Sequence, residues 1–282
     1  MPKPFVKWAG GKRFLEERIL KILPKKIDIY YEPFVGGGAI FFALAKRKRF
    51  NTAVLSDMNE ELIIAYKAVR DEVDAVIHHL TILKDEYFAK GKEEYYYKVR
   101  EMDRDEQFKT LPLAARCARL IFMNRTGFNG LYRVNRRGFF NVPHGKYKNP
   151  KIVDPANLKL VSAALKNVNI GVADFEQAVH AAGSGDVVYL DPPYWPVKSD
   201  SFTGYNSTEF DSADHVRLAR IMSVLKGKGA FALQSNSDVT QVRDLNRLMS
   251  ITSVDVPRRI NSNVTQRGTV KELLICTHKI GL

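Results

Sequence analysis

The chain has 282 residues, 45% apolar and 27% charged, the balance of an ordinary globular protein with room for one domain carrying an insert or for two domains. No apolar run approaches the ~20 residues of a membrane span and residues 1–10 lack a signal-peptide pattern, so a cytoplasmic protein is expected. An excess of 44 Lys and Arg over 31 Asp and Glu, a formal net charge of +13, favours a polyanionic partner, with nucleic acid ahead of a membrane surface or bare solubility.

In chain order, residues 27–31 read as a buried strand, 32–38 as a glycine-rich turn and 39–44 as the start of a helix. The basic run from Lys46 to Arg49 reads as a solvated helix end suited to the C-terminal dipole. Residues 53–55 form a second short strand ending at Ser56 and Asp57. From Glu61 to about Lys151 the strand signal disappears, and amphipathic helical stretches over 74–88, 93–102 and 113–124 lead into a basic segment punctuated by glycine and asparagine. Strand-like runs return at 168–172, 187–190, 230–233, 251–256 and 272–277. Short β-rich runs alternating with helical patterns predict an α/β fold with a parallel sheet covered by helices. Cys117 and Cys276 lie in apolar patterns and the six histidines are scattered, which argues against a disulfide framework and against a metal site.

Asp191-Pro192-Pro193-Tyr194 directly follows the run 187–190. An exocyclic amine on a flat ring has its lone pair delocalised, so acceptors must hold its hydrogens while an electrophile approaches the nitrogen. Asp191 supplies one acceptor, the Pro192 carbonyl a second, the Pro192-Pro193 pair a fixed backbone, and Tyr194 a stacking face. Taken alone, the same four residues also suit a plain strand-ending turn. Glu32-Pro33-Phe34-Val35-Gly36-Gly37-Gly38 between a strand and a helix lets the backbone approach a ligand closely, and Asp57 ends the next strand where ribose hydroxyls are held in doubly wound folds. The loop lacks the Gly-Lys-Ser/Thr ending of a phosphate-binding loop and carries Glu32, so a nucleoside without phosphates is the better ligand. Residues 125–143 read as a β-hairpin turning near Asn135 to Gly138, its basic, aromatic and amide side chains fitting equally a ribbon entering a DNA groove and a surface hairpin with incidental charge.

Four blocks together, Lys7-Trp8-Ala9-Gly10-Gly11-Lys12, Phe34 to Gly38, residues 124–150 and Asp191 to Tyr194, resemble the alpha-class DNA adenine N6-methyltransferases of the GATC-specific Dam type, as found in DpnII-like systems. Their order is the alpha-class order, and the similarity runs from Phe5 to about Ile275. The resemblance implies a Rossmann-like, S-adenosylmethionine-dependent methyltransferase sheet formed by residues 1–60 and 151–282, with a helical and β-hairpin target-recognition domain at 61–150. It implies Trp8, Lys12, Asp57 and Asp191 as the cofactor-binding set, with Phe34, Gly36 and Gly38 beside them: ribose on Asp57, adenine near Asp174 and Phe175, the methionine end against Trp8 and Lys12. The target adenine is expected to flip out of the duplex and to be held by Asp191, Pro192, Pro193 and Tyr194 during direct methyl transfer.

For DNA, the resemblance decides the hairpin in favour of groove recognition. It implies that Arg133 reads guanine, that Leu131 and Pro143 contact thymine or its partner, that Phe128 and Asn129 fill the gap left by the flipped base, and that Tyr147 with Lys146 and Lys148 holds phosphates. Lys7 joins the same DNA-binding set, and Arg259 and Arg267 are expected to contact phosphates from a C-terminal loop. Residues 201–206 have the composition of a flap over the flipped base. The family more often carries Tyr at position 128 and an aromatic at 144, where this chain has Phe128 and His144. Double-stranded DNA is the implied partner of a monomeric enzyme, with a restriction endonuclease acting on the same sites as a candidate second partner. Methylation of another base or of RNA, and a non-catalytic DNA-binding protein on the same fold, are the alternatives.

Overall fold

The computed structural model describes residues 1–12, 14–197, 210–257 and 269–280. Among them, strands β1 (Ile27–Glu32), β2 (Phe50–Asp57), β3 (Val168–Val172), β4 (Val187–Leu190), β5 (Phe231–Ser237), β6 (Ser250–Pro257) and β7 (Thr269–Cys276) form one sheet in the order β3-β2-β1-β4-β5-β7-β6. The helices are α1 (Glu16–Ile22), α2 (Ala39–Lys46), α3 (Glu60–Asp71), α4 (Val73–Ala89), α5 (Lys92–Glu101), α6 (Leu113–Thr126), α7 (Pro155–Leu165), α8 (Phe175–Ala178), α9 (Ser212–Gly227) and α10 (Thr240–Leu245). This is a mixed α/β architecture built on one seven-stranded sheet.

Strand β1 pairs in parallel with β2 and β4, and β4 with β5, but β7 runs antiparallel to both β5 and β6. The wholly parallel sheet expected from the sequence is therefore corrected at one end. Strands β6 and β7 are sequence neighbours separated by eleven residues between Pro257 and Thr269. A parallel pairing needs a crossover of about a dozen residues or more, normally helical, so the short connection selects the antiparallel ladder.

The chain divides into two compact units. The unit made of Met1–Gly11, Gly36–Phe42 and Asp57–Val172 is mainly helical. Helix α6 is its centre: Ala114, Cys117, Ala118, Leu120, Ile121, Phe122 and Met123 are all buried. Its two arginines are buried as well, and each has an acid, Arg116 on Glu61 and Arg119 on Asp103 at 3.0 Å. Without those partners, buried guanidinium groups would carry a heavy desolvation cost. Local signals set the helix starts. Asn59 accepts the Leu62 amide at 3.0 Å to begin α3, and Asp154 followed by Pro155 begins α7.

The unit made of Lys12–Val35, Ala43–Ser56 and Ala173–Leu282 holds most of the sheet. All four residues of β4 are buried, and Val188 and Leu190 pack with Leu218, Met222 and Leu225 of α9 and with Leu273 and Ile275 of β7. Asp211 and Asp214 form a reciprocal capping box that fixes the start of α9. One expectation is corrected here. Arg49 is not part of a solvated helix end: its guanidinium donates to the carbonyls of Leu20 at 2.7 Å and Leu23 at 2.8 Å, closing the C-terminal end of α1.

The segment 125–148 also departs from expectation. The chain does double back, with Asn135 and Phe139, Arg133 and Asn141, Phe128 and Pro143, and Thr126 and Gly145 joined by backbone hydrogen bonds. It forms isolated bridges at Gly127 with His144 and at Val134 with Phe140 instead of continuous strands. Phe128 to Gly130 make a tight helical turn in which Asn129 (φ 55°) and Gly130 (φ 66°) adopt left-handed backbone, and that turn interrupts the ladder.

Candidate functional site

In the sheet, strand order reverses between β1 and β4, the switch point outside which open α/β sheets bind their ligands. The segments leaving those two strands are the glycine loop after Glu32 and the Asp191-Pro192-Pro193-Tyr194 stretch after Leu190.

Asp191 is held in place by the protein's own groups. Its Oδ1 receives the Lys12 Nζ at 2.7 Å and the Ser235 hydroxyl at 2.8 Å. Ser235 in turn shares a 3.1 Å hydrogen bond with Tyr189. Both contacts converge on one carboxylate oxygen, which leaves the second available to accept from an amine. Burial pushes the Asp191 carboxyl above its usual range, with the Lys12 charge and the two hydrogen bonds opposing that shift. Pro192 is buried and Pro193 exposed. The Tyr194 hydroxyl donates to Glu272 Oε2 at 2.8 Å, and the Lys12 ammonium lies 4.7 Å from the centre of the Tyr194 ring. The next residue, Trp195, donates its backbone N–H to Asn236 Oδ1 at 3.0 Å and packs on His215.

The glycine loop has its own anchors. Gly36 (φ 46°) donates its N–H to Asp57 Oδ2 at 3.1 Å, and its carbonyl accepts from the Tyr66 hydroxyl at 3.1 Å. Asp57 Oδ1 accepts the Asn59 N–H at 3.0 Å. Close approach makes glycine necessary here: a Cβ on Gly36 would lie 2.7 Å from the Trp8 ring, and one on Gly38 (φ 68°) would lie 2.6 Å from the Tyr66 hydroxyl. Trp8 also stacks on Tyr132, centroids 5.2 Å apart. Burial raises the Asp57 carboxyl, against the backbone hydrogen bonds of Asn59, Gly36 and Met58. Each oxygen that takes an amide keeps a second lone pair for a hydroxyl, the chemistry a ribose needs.

Phe34 stacks on Phe175 at 5.5 Å and meets Phe210 edge-on at 5.7 Å. Phe175 is buried in the sheet core beneath the Arg217 guanidinium, 4.7 Å from its ring. Asp174 caps α8 through the Glu176 amide and pairs with Arg217 at 2.7 Å.

Most of the residues expected on DNA are exposed. Phe128 and Leu131 are among the exposed large apolar side chains, and Arg133 and Pro143 are exposed beside them. Arg133 Nε donates to Asn141 Oδ1 at 2.7 Å. Lys7 is fixed through its backbone, its N–H donating to Asn124 Oδ1 and its carbonyl accepting from Asn124 Nδ2, each at 2.8 Å. Its ammonium lies 5.9 Å from the centre of the Tyr147 ring, and the Tyr147 hydroxyl accepts the Asn129 N–H at 3.0 Å. Lys7, Asn129 and Tyr147 thus share one cluster, while Arg133 belongs to the hairpin arm. His144 fills an aromatic position: it is buried, bonded to the Tyr87 hydroxyl at 2.7 Å and packed 5.1 Å from Tyr96, and burial lowers its pKa.

Arg259, Arg267 and the flap segment 201–206 lie outside the described residues. Ser235, Asn236 and Glu272 are site neighbours that the sequence reading missed. The polar run Gln234-Ser235-Asn236-Ser237 was a usable signal: it ends β5, and Leu190 pairs with Gln234, so Asp191 falls beside Ser235. Glu272 gave no comparable signal.

The family pattern described as D12 class N6 adenine-specific DNA methyltransferase matches residues 8–260. The chain is 43% identical to the type II methyltransferase M.MjaIII of Methanocaldococcus jannaschii over 98% of this chain and 99% of that protein. It is 39% identical to the type II methyltransferase M1.LlaDCHI of Lactococcus lactis subsp. cremoris, over 98% and 95% respectively. To the DNA adenine methylase of Haemophilus influenzae it is 35% identical, over 96% and 92%. Matched along nearly its whole length by both the pattern and these relatives, the chain belongs to the D12 class of N6 adenine-specific DNA methyltransferases.

Proposed function

We propose that this enzyme transfers the methyl group of S-adenosylmethionine to the N6 of adenine within GATC in double-stranded DNA, after flipping the adenine out of the duplex. The observation that carries the reading is the Asp191 carboxylate, anchored through Oδ1 by Lys12 and Ser235 beside the Tyr194 ring. Asp191 and the Pro192 carbonyl accept the two N6 hydrogens, Tyr194 stacks on the base, and Pro193 holds the turn. The carboxylate orients the nitrogen lone pair toward the incoming methyl group and favours departure of the N6 proton.

The residues present fit the donor. Asp57 offers lone pairs to ribose hydroxyls, the glycine loop admits close approach, and Trp8 lines that loop. When bound, S-adenosylmethionine supplies the electrophilic methyl group. We assign Trp8, Lys12, Phe34, Gly36, Gly38, Asp57 and Asp191 to hold it, with the Asp174–Phe175 segment at its adenine. On the DNA side, residues 61–150 carry recognition: Arg133 to guanine, Leu131 and Pro143 to thymine or its partner, Phe128 and Asn129 into the vacated stack, and Lys7 and Tyr147 along the strand. Arg259 and Arg267 complete the phosphate contacts. The enzyme acts as a monomer in the cytoplasm, where its DNA lies. Relatives named as type II methyltransferases support a restriction endonuclease of the same specificity as its partner. No described helix is long and apolar enough to cross a membrane.

The test is transfer of radiolabelled methyl from S-adenosylmethionine to matched duplexes, one with GATC and one scrambled, followed by nucleoside analysis. Label in N6-methyladenine with GATC alone is the expected result. Label in both duplexes removes the GATC assignment, and no label despite tight DNA binding favours a non-catalytic binder.

A further inference from the structure

Tyr194 is held by groups that all lie outside the Asp191-to-Tyr194 stretch. At the ring's outer end its hydroxyl donates to Glu272 Oε2 at 2.8 Å. Over one face lies the Lys12 ammonium, 4.7 Å from the ring centre and bonded at 2.7 Å to Asp191. Behind it, the Trp195 amide is tied to Asn236. Rotation about the Cα–Cβ bond swings a tyrosine ring between staggered wells, so backbone restraint alone leaves the direction of the ring axis open. A hydrogen bond at the hydroxyl, the far end of that axis, removes that freedom.

We propose that Glu272 is a positioning residue for methyl transfer: by accepting the Tyr194 hydroxyl it fixes where the ring sits on which the target adenine stacks. The inference rests on the base-flipping reading given above. Glu272 sits on β7, where it pairs with Ser237 of β5 and Val254 of β6, so its backbone is fixed from both sides. A strand between two strands is the most rigid support the fold offers, and catalytic geometry is best set from such elements. Since Lys12 occupies one face of the ring, a base is confined to the other. The position of the ring then decides whether N6 meets Asp191 in line with the donor, where a small misplacement carries a large rate penalty. A phenol donating to a carboxylate makes a charge-assisted bond, about twice as strong as a neutral one. Burial together with the Asp191 and Glu272 charges keeps the phenol protonated.

The experiment compares wild type, Glu272→Ala, Glu272→Gln, Tyr194→Phe and the double variant Glu272→Ala/Tyr194→Phe. It measures single-turnover methyl transfer to a GATC duplex, equilibrium binding of S-adenosylmethionine and thermal unfolding. Loss of the bond should slow transfer by about tenfold to a hundredfold in Glu272→Ala and in Tyr194→Phe, with S-adenosylmethionine binding unchanged and the unfolding temperature lowered by no more than the loss of one hydrogen bond. Glu272→Gln, which keeps an acceptor oxygen, should restore most of the rate. The double variant should be no slower than the slower single variant, because both changes break the same bond. Wild-type rates in Glu272→Ala, or multiplicative losses in the double variant, overturn the inference. So does a Glu272→Ala loss shared by cofactor binding and thermal stability that Glu272→Gln fails to repair. A wild-type enzyme that labels no adenine overturns the underlying reading instead, and the two failures are thereby told apart.

Discussion

Asp191 and Arg133 are both charged, and both are assigned to the same substrate, yet their surroundings have little in common. Asp191 has a lysine, a serine and, through that serine, a buried tyrosine locked around it. Arg133 is exposed and rests on the amide of its neighbour Asn141. The acid must meet one nitrogen in one orientation during bond making, so its environment is completed in advance. A base reader makes its decisive contacts with the duplex, and one exchangeable residue, Asn141, contacted through its amide and its backbone carbonyl, keeps the guanidinium oriented at little cost when guanine replaces it. With those assigned roles, preorganisation is concentrated at the proposed reaction site and adaptability at the proposed reader of sequence.

The largest effect should follow from breaking the prepared side. Asp191→Ala should lower methyl transfer by at least about a thousandfold while DNA binding in gel-shift titration stays close to wild type. Asp191→Asn should lose less, since a carboxamide oxygen still accepts from N6. The wild-type rate should also fall in acid as Asp191 takes up a proton, at a pH above the ordinary carboxylate range because burial raises that pKa. Asp191→Asn has no proton to gain there, and a pH–rate profile that keeps the same acid limb in this variant would assign the limb to another group.

His215 tests whether burial locks this region. It lies against Trp195 and Phe210, and desolvation lowers its pKa from the ordinary 6.5 to about 4. The unfolded chain therefore binds a proton below pH 6.5 that the folded chain refuses until about pH 4. Stability should fall with decreasing pH across that window, by about 3 kcal/mol in all. His215→Phe, an aromatic without the titration, should flatten that part of the urea-derived pH–stability curve. An unchanged slope would mean that the ring is hydrated in solution.

Much of the prepared side could be read in the sequence, and what escaped has a common cause. Strands β3 and β4 fall on the expected residues because short apolar runs bounded by turns are local signals. The Asp191 stretch and the glycine loop are local as well. Ser235 and Glu272 lie 44 and 78 residues beyond the side chains they bond, and only sheet order brings them there. Strand β7 overlaps the expected run 272–277, but its antiparallel direction was missed for the same reason, since pairing partners are not written in a strand's own pattern. In the recognition segment, the turn near Asn135 to Gly138 was legible from its residue types, and Gly138 does take left-handed backbone. The left-handed Asn129 that breaks the ladder was not, because asparagine visits that region only in some contexts.

On the adaptable side, Arg133→Ala should cost about 1–3 kcal/mol of discrimination, measured as the ratio of kcat/KM on GATC to that on duplexes altered at the guanine. Asn141→Ala, which removes the side-chain amide contact and leaves the contact to the backbone carbonyl, should change that ratio far less, because the duplex supplies the decisive contacts. Equal losses would mean that Arg133 needs to be fixed in advance, and the contrast with Asp191 would fail.

The smallest effect belongs to the lysines assigned to phosphates. Lys148 is exposed, and its ammonium has no ion pair among the described residues; only its backbone carbonyl is engaged, by Lys92. Lys148→Ala should weaken DNA binding to the same degree on GATC and on scrambled duplexes, because a phosphate carries no sequence. If the side chain neutralises one phosphate, the slope of log binding constant against log salt should become shallower by about 0.9. A loss confined to GATC would make Lys148 a base reader and move it to the side of Arg133. An unchanged slope would remove it from the interface, leaving Lys7 and Tyr147, whose backbone and ring contacts are already made, as the better-prepared part of the recognition surface.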